Sequence, residues 1–230
     1  MYLLLDLGNT RLKAVAYDGV SFNNLQFQTI AELLTRPFRA AYLSSVSNEE
    51  GTAELIRALE AANLPYTVLQ SEATAFGLTN SYQQPQKLGV DRWLAMLGAH
   101  CKYPGQELLV VDAGTAVTLD WIKAGQHQGG WIIPGLRLQQ QALLTHTARV
   151  NKDQQMLPSL TAGRSTNVCV ENGALAAVVG AIRCGWQTSP ANHLLLTGGD
   201  ALLLKRYLVD LPIQLEANLL FQGIAQYIDS

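Results

Sequence analysis

Within eight positions near the start of the chain, Asp6, Leu7, Gly8, Asn9, Thr10, Arg11, Leu12 and Lys13 gather a carboxylate, a glycine, an amide, a hydroxyl and an ammonium. That is the inventory of a phosphate site. Gly8 lets the backbone come close to a ligand, Asn9 and Thr10 add donors beside the amides of a turn, and Lys13 neutralises phosphate charge. Asp6 has the hard oxygens that hold a hydrated Mg²⁺. An ordinary hairpin also places Asn and Gly in its turn, for conformational reasons alone, so this cluster leaves both readings open.

A second cluster shifts the balance. Asp112-Ala-Gly-Thr115 repeats the acid, glycine and threonine after another apolar run, 106 residues beyond Asp6 (112 − 6). Two such turns on matching strands can hold one nucleotide from both sides, whereas a chance hairpin has no need of repetition. Neither a Walker A loop nor a G-x-G-x-x-G fingerprint is present, which disfavours the other common nucleotide folds.

A third cluster, Gly89-Val90-Asp91-Arg92, precedes the apolar run Trp93–Leu97 and falls at the start of a helix. An acid in a first helical turn is what capping and dipole complementarity would place there. Taken alone, that is the simpler reading.

The elements that position these clusters follow from hydrophobic patterning. Residues 2–6 form an apolar strand ending in an acid and a glycine, with a returning strand over 11–17 and a third over 20–28 after the Asp18-Gly19 turn. Helices over 30–35 and 48–62 alternate with strands over 40–44 and 66–70. The pattern restarts after a break at Gly105, with strands over 108–112, 116–122 and 127–133. Helices follow over 136–144, 167–186 and 218–228, and one further strand, His193–Thr197, ends in Gly198-Gly199-Asp200. An α/β protein of two similar halves, 1–105 and 106–230, facing each other across a cleft, accounts for the repeat.

Composition narrows the function class. With 230 residues, 48% of them hydrophobic, the chain can bury a real core. A net charge of −2, from 16 basic and 18 acidic side chains, leaves no electrostatic footprint for nucleic acid or an anionic membrane. A small molecule is therefore the expected partner. Tyr2–Leu5 is too short for a signal-peptide core and no uncharged apolar run reaches membrane-spanning length, so a soluble, cytoplasmic protein is expected. Cys101, Cys169 and Cys184 read as reduced core thiols. The histidines at 100, 127, 146 and 193 are scattered without ligand spacing, and the tryptophans at 93, 121, 131 and 186 read as core or interface residues.

Taken jointly, Asp6-x-Gly-Asn-Thr-x-x-Lys13, Gly89-x-Asp-Arg92, Asp112-x-Gly-Thr115, Gly129-Gly-x-Ile-x-Pro-Gly135 and Thr197-Gly-Gly-Asp200 resemble the type III pantothenate kinases. The motifs run in the family's order over nearly the whole chain. That family belongs to the acetate and sugar kinase, heat-shock ATPase and actin superfamily. The resemblance implies two duplicated ribonuclease-H-like domains flanking a nucleotide cleft, and ATP-dependent phosphorylation of pantothenate as the first step toward coenzyme A. It places the ATP loop on Asp6 to Lys13, a second nucleotide contact on Thr115, and substrate contacts on Tyr82, Gly89, Val90, Asp91, Arg92 and Thr166. Asp91 is implied as the catalytic base and Asp112 as the ligand of a monovalent cation, K⁺ or NH₄⁺. Mg²⁺ and a homodimer are implied as well, with the apolar helix around Val168–Ile182 at the dimer interface. One departure stands out: Ser165 replaces the Asn or Asp of the family's pattern before Thr166. The alternatives are a kinase of the same superfamily acting on a sugar or other small alcohol, and a non-catalytic nucleotide-binding regulator.

Overall fold

The computed structural model describes residues 1–8, 10–146 and 158–228. They form two compact units, Met1–Pro104 with Asn218–Ser230, and Gly105–Ala217.

The first unit is built on a five-stranded sheet of β1 (Tyr2–Leu7), β2 (Leu12–Tyr17), β3 (Phe22–Asn24), β4 (Ala41–Ser45) and β5 (Tyr66–Val68) in the order β3-β2-β1-β4-β5. The first three strands are antiparallel neighbours, while β4 and β5 extend the sheet in parallel with β1. Leu3, Leu5, Ala14, Ala41 and Leu43 bury one face beneath α1 (Ile30–Leu34) and α2 (Glu49–Ala61), which contribute Leu33, Leu55 and Leu59. Helix α2 starts where the sequence says it should. The Asn48 side chain accepts the Gly51 amide, and Glu49 and Glu50 complement the positive end of the helix.

The third strand is shorter than its apolar pattern suggests. Asp18 Oδ1 accepts the amides of both Val20 and Ser21, so a local turn takes the residues that would have begun the strand. A small hairpin of β6 (Thr74–Ala75) and β7 (Leu78–Thr79), then a 3₁₀ turn at Pro85–Lys87, leads into α3 (Val90–Lys102).

In the second unit, β8 (Leu108–Ala113), β9 (Ala116–Lys123) and β10 (Gln126–Pro134) form the antiparallel half. β11 (His193–Thr197) and β12 (Ile213–Leu215) run parallel to β8, giving the order β12-β11-β8-β9-β10. This is the topology of the first unit over again, with Asp112 near the end of β8 as Asp6 is near the end of β1. Both are ribonuclease-H-like, the two-sheet α/β architecture of the actin-like ATPases. Helices α4 (Leu136–His146), α5 (Thr166–Thr188) and α6 (Ala201–Lys205) complete the unit. Leu175, Val178, Val179 and Ile182 of α5 pack on Leu109, Val111, Val117 and Leu119 of the sheet.

The C-terminal helix, α7 (Leu219–Ala225), belongs to the first unit and not, as chain order suggests, to the second. Its seat is the flank of α3, where two glycines remove the side chains that would hold the helices apart. A Cβ on Gly98 would lie 2.1 Å from the Leu219 carbonyl oxygen, and one on Gly223 would lie 2.0 Å from that of Leu94. Trp93 Nε1 also donates to the Tyr227 hydroxyl (3.2 Å), which in turn donates to Glu72.

One further expectation is corrected. The cysteines are not core thiols: Cys101 is half-buried, and Cys169 and Cys184 are exposed because both fall on the outward face of α5. The inward and outward faces of that helix differ in side-chain size. Its outward face carries small residues, Gly173, Ala176, Ala177 and Gly180, and its larger apolar side chains turn inward.

Candidate active site

Each unit presents a set of polar side chains near the C-terminal ends of its central strands. In the first unit, antiparallel register sets Asp6 opposite Lys13, and Lys13 Nζ lies 3.1 Å from Asp6 Oδ2. Asp6 is 5% exposed, whereas Lys13 reaches solvent. The Gly8 amide donates to the Arg11 carbonyl at 3.2 Å and closes the turn, leaving Thr10 and Arg11 exposed on it. Leu7 and Leu12 pack against the sheet core and anchor the turn's two legs. Asn9 lies outside the described residues.

The Gly89–Arg92 segment folds as the start of α3. Gly89 occupies the cap position with no side chain to contribute, and its carbonyl accepts the Trp93 amide. A Cβ here would stand 2.6 Å from Asp91 Oδ1, so the glycine clears room for that carboxylate. Asp91 Oδ1 accepts the Arg92 amide at 2.8 Å.

Arg92 is 6% exposed. Its Nη1 donates to the Tyr82 hydroxyl at 2.9 Å, with the guanidinium carbon 5.8 Å from the tyrosine ring centroid. Tyr82 and Arg92, ten positions apart, are therefore brought together. Two residues that sequence reasoning missed hold them there. Asn80 donates to the carbonyls of Glu72 and Pro85 and accepts the Tyr82 amide, and the Ser71 hydroxyl donates to the Leu88 carbonyl. Beside this segment lies a cavity of about 480 Å³ whose lining includes Ser45, Thr52, Gln70, Lys87, Gly89 and Val90.

In the second unit, Asp112 is paired in register with Thr118 and Thr197, and the Gly114-Thr115 turn follows. The turn is closed by the Gly114 amide on the Ala116 carbonyl (2.9 Å) and leaves Thr115 exposed. Two glycines clamp it. Gly135 packs where a Cβ would meet the Gly114 oxygen at 2.1 Å, and its amide donates to the Thr115 carbonyl at 2.9 Å. Gly198, at φ +94°, packs where a Cβ would lie 2.4 Å from Asp112 Oδ1. Both close approaches require glycine, which gives a physical reason for the Pro-Gly and Thr-Gly-Gly-Asp motifs.

Asp200 follows on the same edge, its amide donating to the Ala113 carbonyl. Burial raises the pKa of its carboxyl, with Arg137 opposing. Thr166 is the first residue of α5 and is exposed. Ser165 caps that helix by accepting the Val168 amide, a role Ser shares with Asn and Asp, so the departure from the family pattern preserves the helix start.

One buried polar pair gave no sequence signal. His127 Nε2 lies 3.0 Å from Asp120 Oδ1, both enclosed between β9 and β10. A bulge at His127–Gly129 sets the facing of that histidine, and strict alternation along the strand does not reveal it.

Among the described residues, α5 is the one helix long and apolar enough to cross a membrane by length and composition, and its buried positions belong to the core of its unit. The sequence model of type III pantothenate kinase matches residues 2–188. A type III pantothenate kinase of Colwellia psychrerythraea is 35% identical over an alignment of 250 residues, covering 99% of this chain and all of that protein. Another, of Psychrobacter cryohalolentis, is 32% identical over 240 residues, covering 99% of this chain and 98% of that one. Among solved structures, a conserved Campylobacter jejuni protein assigned to the Baf family of transcriptional activators is 24% identical. It superposes with a TM-score of 0.64 over 99% of this chain and 97% of its own, a likeness of fold. With the family model spanning most of its length and these relatives matching it end to end, the chain belongs to the type III pantothenate kinase family.

Proposed function

We propose that this chain transfers the terminal phosphoryl group of ATP to the primary hydroxyl of pantothenate, committing it to coenzyme A synthesis. The observation that carries the reading is the Gly89–Arg92 segment, folded as the first turn of α3 with Arg92 braced on Tyr82. A kinase for a sugar or other alcohol would share the two phosphate turns and have no use for this assembly.

The steps follow from the side chains. Asp6 to Lys13 cradle the ATP phosphates, the turn amides and Thr10 donating to phosphate oxygens and Lys13 opposing their charge, while Thr115 adds a second nucleotide contact. Asp91 orients the pantothenate hydroxyl and accepts its proton as the oxygen attacks phosphorus. Arg92 offers its planar fork to the substrate carboxylate, Gly89 and Val90 contribute backbone, and Tyr82 and Thr166 complete the contacts. Catalysis is mainly positioning and charge neutralisation, as phosphoryl transfer requires.

The donor set fits a hydrated magnesium ion. No group of three or more His, Cys, Asp or Glu side chains gathers into a metal cage among the described residues, whereas Asp6 is a buried carboxylate at a strand end. Magnesium is held by one or two carboxylates, substrate phosphates and retained waters. Bound there, it supplies neutralisation of phosphate charge. Asp112 is the proposed ligand of a K⁺ or NH₄⁺ ion.

The outward face of α5, lined by Gly173, Ala176, Ala177 and Gly180, is the proposed homodimer contact, since small residues let helices approach closely. A dimer at micromolar concentration in sedimentation supports it, and a fully active monomer refutes it.

The deciding experiment is phosphoryl transfer from labelled ATP to pantothenate, glucose, glycerol and acetate in parallel. Pantothenate alone should be labelled. Labelling of another acceptor in its place, or of none, overturns the reading.

A further inference from the structure

Ser44 sits one residue before the end of β4, wholly buried, and its Oγ has no hydrogen-bond partner among the described residues. A hydroxyl enclosed in this way is destabilising, and alanine would occupy the position without that cost. The placement of Ser44 indicates what the hydroxyl awaits. Parallel register sets Ser44 opposite Asp6 on one side, as antiparallel register sets Lys13 opposite it on the other. Leu5 and Leu43 face the core under α1 and α2, so alternation puts Lys13, Asp6 and Ser44 in a row on the other face of the sheet.

The row holds one cation, one carboxylate and one orphan hydroxyl. Lys13 holds the Asp6 carboxylate at 3.1 Å. A nucleotide phosphate competes for that ammonium, and a buried carboxylate deprived of its partner needs another donor. We propose that Ser44 is a positioning residue: its hydroxyl donates to the Asp6 carboxylate when Lys13 turns to phosphate, and keeps that carboxylate aimed at the hydrated divalent cation. The proposal rests on the reading of Asp6 to Lys13 as the nucleotide loop.

The test compares Ser44→Ala and Asp6→Asn with the parent protein in three measurements. These are melting without ligand, Mn²⁺ binding in the presence of ADP followed by electron paramagnetic resonance, and the Mg²⁺ dependence of turnover. Ser44→Ala should melt at or above the parent temperature, because it removes an unpaired hydroxyl. It should nonetheless lose about 10- to 100-fold in Mn²⁺ affinity, the range for partners that orient a metal ligand, and recover turnover at high Mg²⁺. Asp6→Asn should lose the Mn²⁺ response.

If Asp6→Asn loses Mn²⁺ and Ser44→Ala binds it like the parent, the role of Ser44 is overturned and the nucleotide loop stands. If Asp6→Asn binds Mn²⁺ normally, the loop reading fails as well. A Ser44→Ala protein that melts lower than the parent also overturns the proposal, since the hydroxyl would then be engaged before any ligand arrives.

Discussion

Replacing Gly98 by alanine adds one methyl group at the crossing of α3 and α7, where the new carbon would stand 2.1 Å from the Leu219 carbonyl oxygen. The obstacle is backbone, so no side chain can swing aside, and the helices must part by roughly 1 Å to reach ordinary contact distance. Overpacking of this kind costs about 1–3 kcal/mol, and the upper end applies here because Leu219, Leu220, Phe221 and Ile224 of α7 are buried and would lose contacts together. Alanine returns about 1 kcal/mol through its better helix propensity. The net loss is about 2 kcal/mol, or about 4–8 °C in melting temperature for a chain of this size. Tryptophan fluorescence suits the measurement, since Trp93 of α3 donates to Tyr227, just beyond the end of α7. A Gly98→Ala protein that melts at or above the parent temperature would refute the close helix crossing.

Other outcomes are equally open to measurement. Asp91→Asn keeps size and removes the proton acceptor, so kcat should fall about 10²- to 10⁴-fold with nucleotide binding retained, and more than half of the parent kcat would remove Asp91 from the base role. With Mg²⁺ fixed, replacing K⁺ by Na⁺ or a bulky organic cation at constant ionic strength should lower kcat, and an unchanged rate would remove the cation from Asp112. Burial raises the Asp200 pKa, so its ionised form is disfavoured in the fold and that cost is fully present above the raised value. Asp200→Asn should therefore raise the melting temperature at neutral pH and lose this advantage in acid, and a lower melting temperature at neutral pH would contradict it. Burial lowers the pKa of His100, so stability is lost as pH falls through its ordinary value near 6.5, and His100→Gln should flatten the acid side of the melting profile.

The parts legible in the sequence are those with a local signature. The paired strands ending in Asp6 and Asp112 announce themselves by an apolar run, an acid and a glycine, and the repeat of their topology follows. Asp91 and Arg92 are readable at a helix start because a polar pair precedes an unbroken apolar run. The meeting of Arg92 with Tyr82 depends instead on Asn80 folding the intervening loop, and no periodicity encodes it. β6, β7 and β12, of two or three residues each, lie in segments with no extended apolar run to announce them, unlike the equally short β3 and β5. The membership of α7 in the first unit was invisible because Gly98 and Gly223 look like helix weaknesses until they are seen facing one another's backbones.

The return of α7 to the first unit also orders events during synthesis. Every strand of both sheets leaves the ribosome before Asn218 does, so the second unit can close while the first still lacks a helix. At about 5–20 residues per second, the 113 residues from Gly105 to Ala217 hold the flank of α3 open for several seconds or longer. Through that interval the apolar flank around Gly98 and Leu94, which α7 covers in the folded protein, has no helix to cover it. Completion of the helix pair that carries Asp91 thus waits on synthesis of Leu219–Ala225.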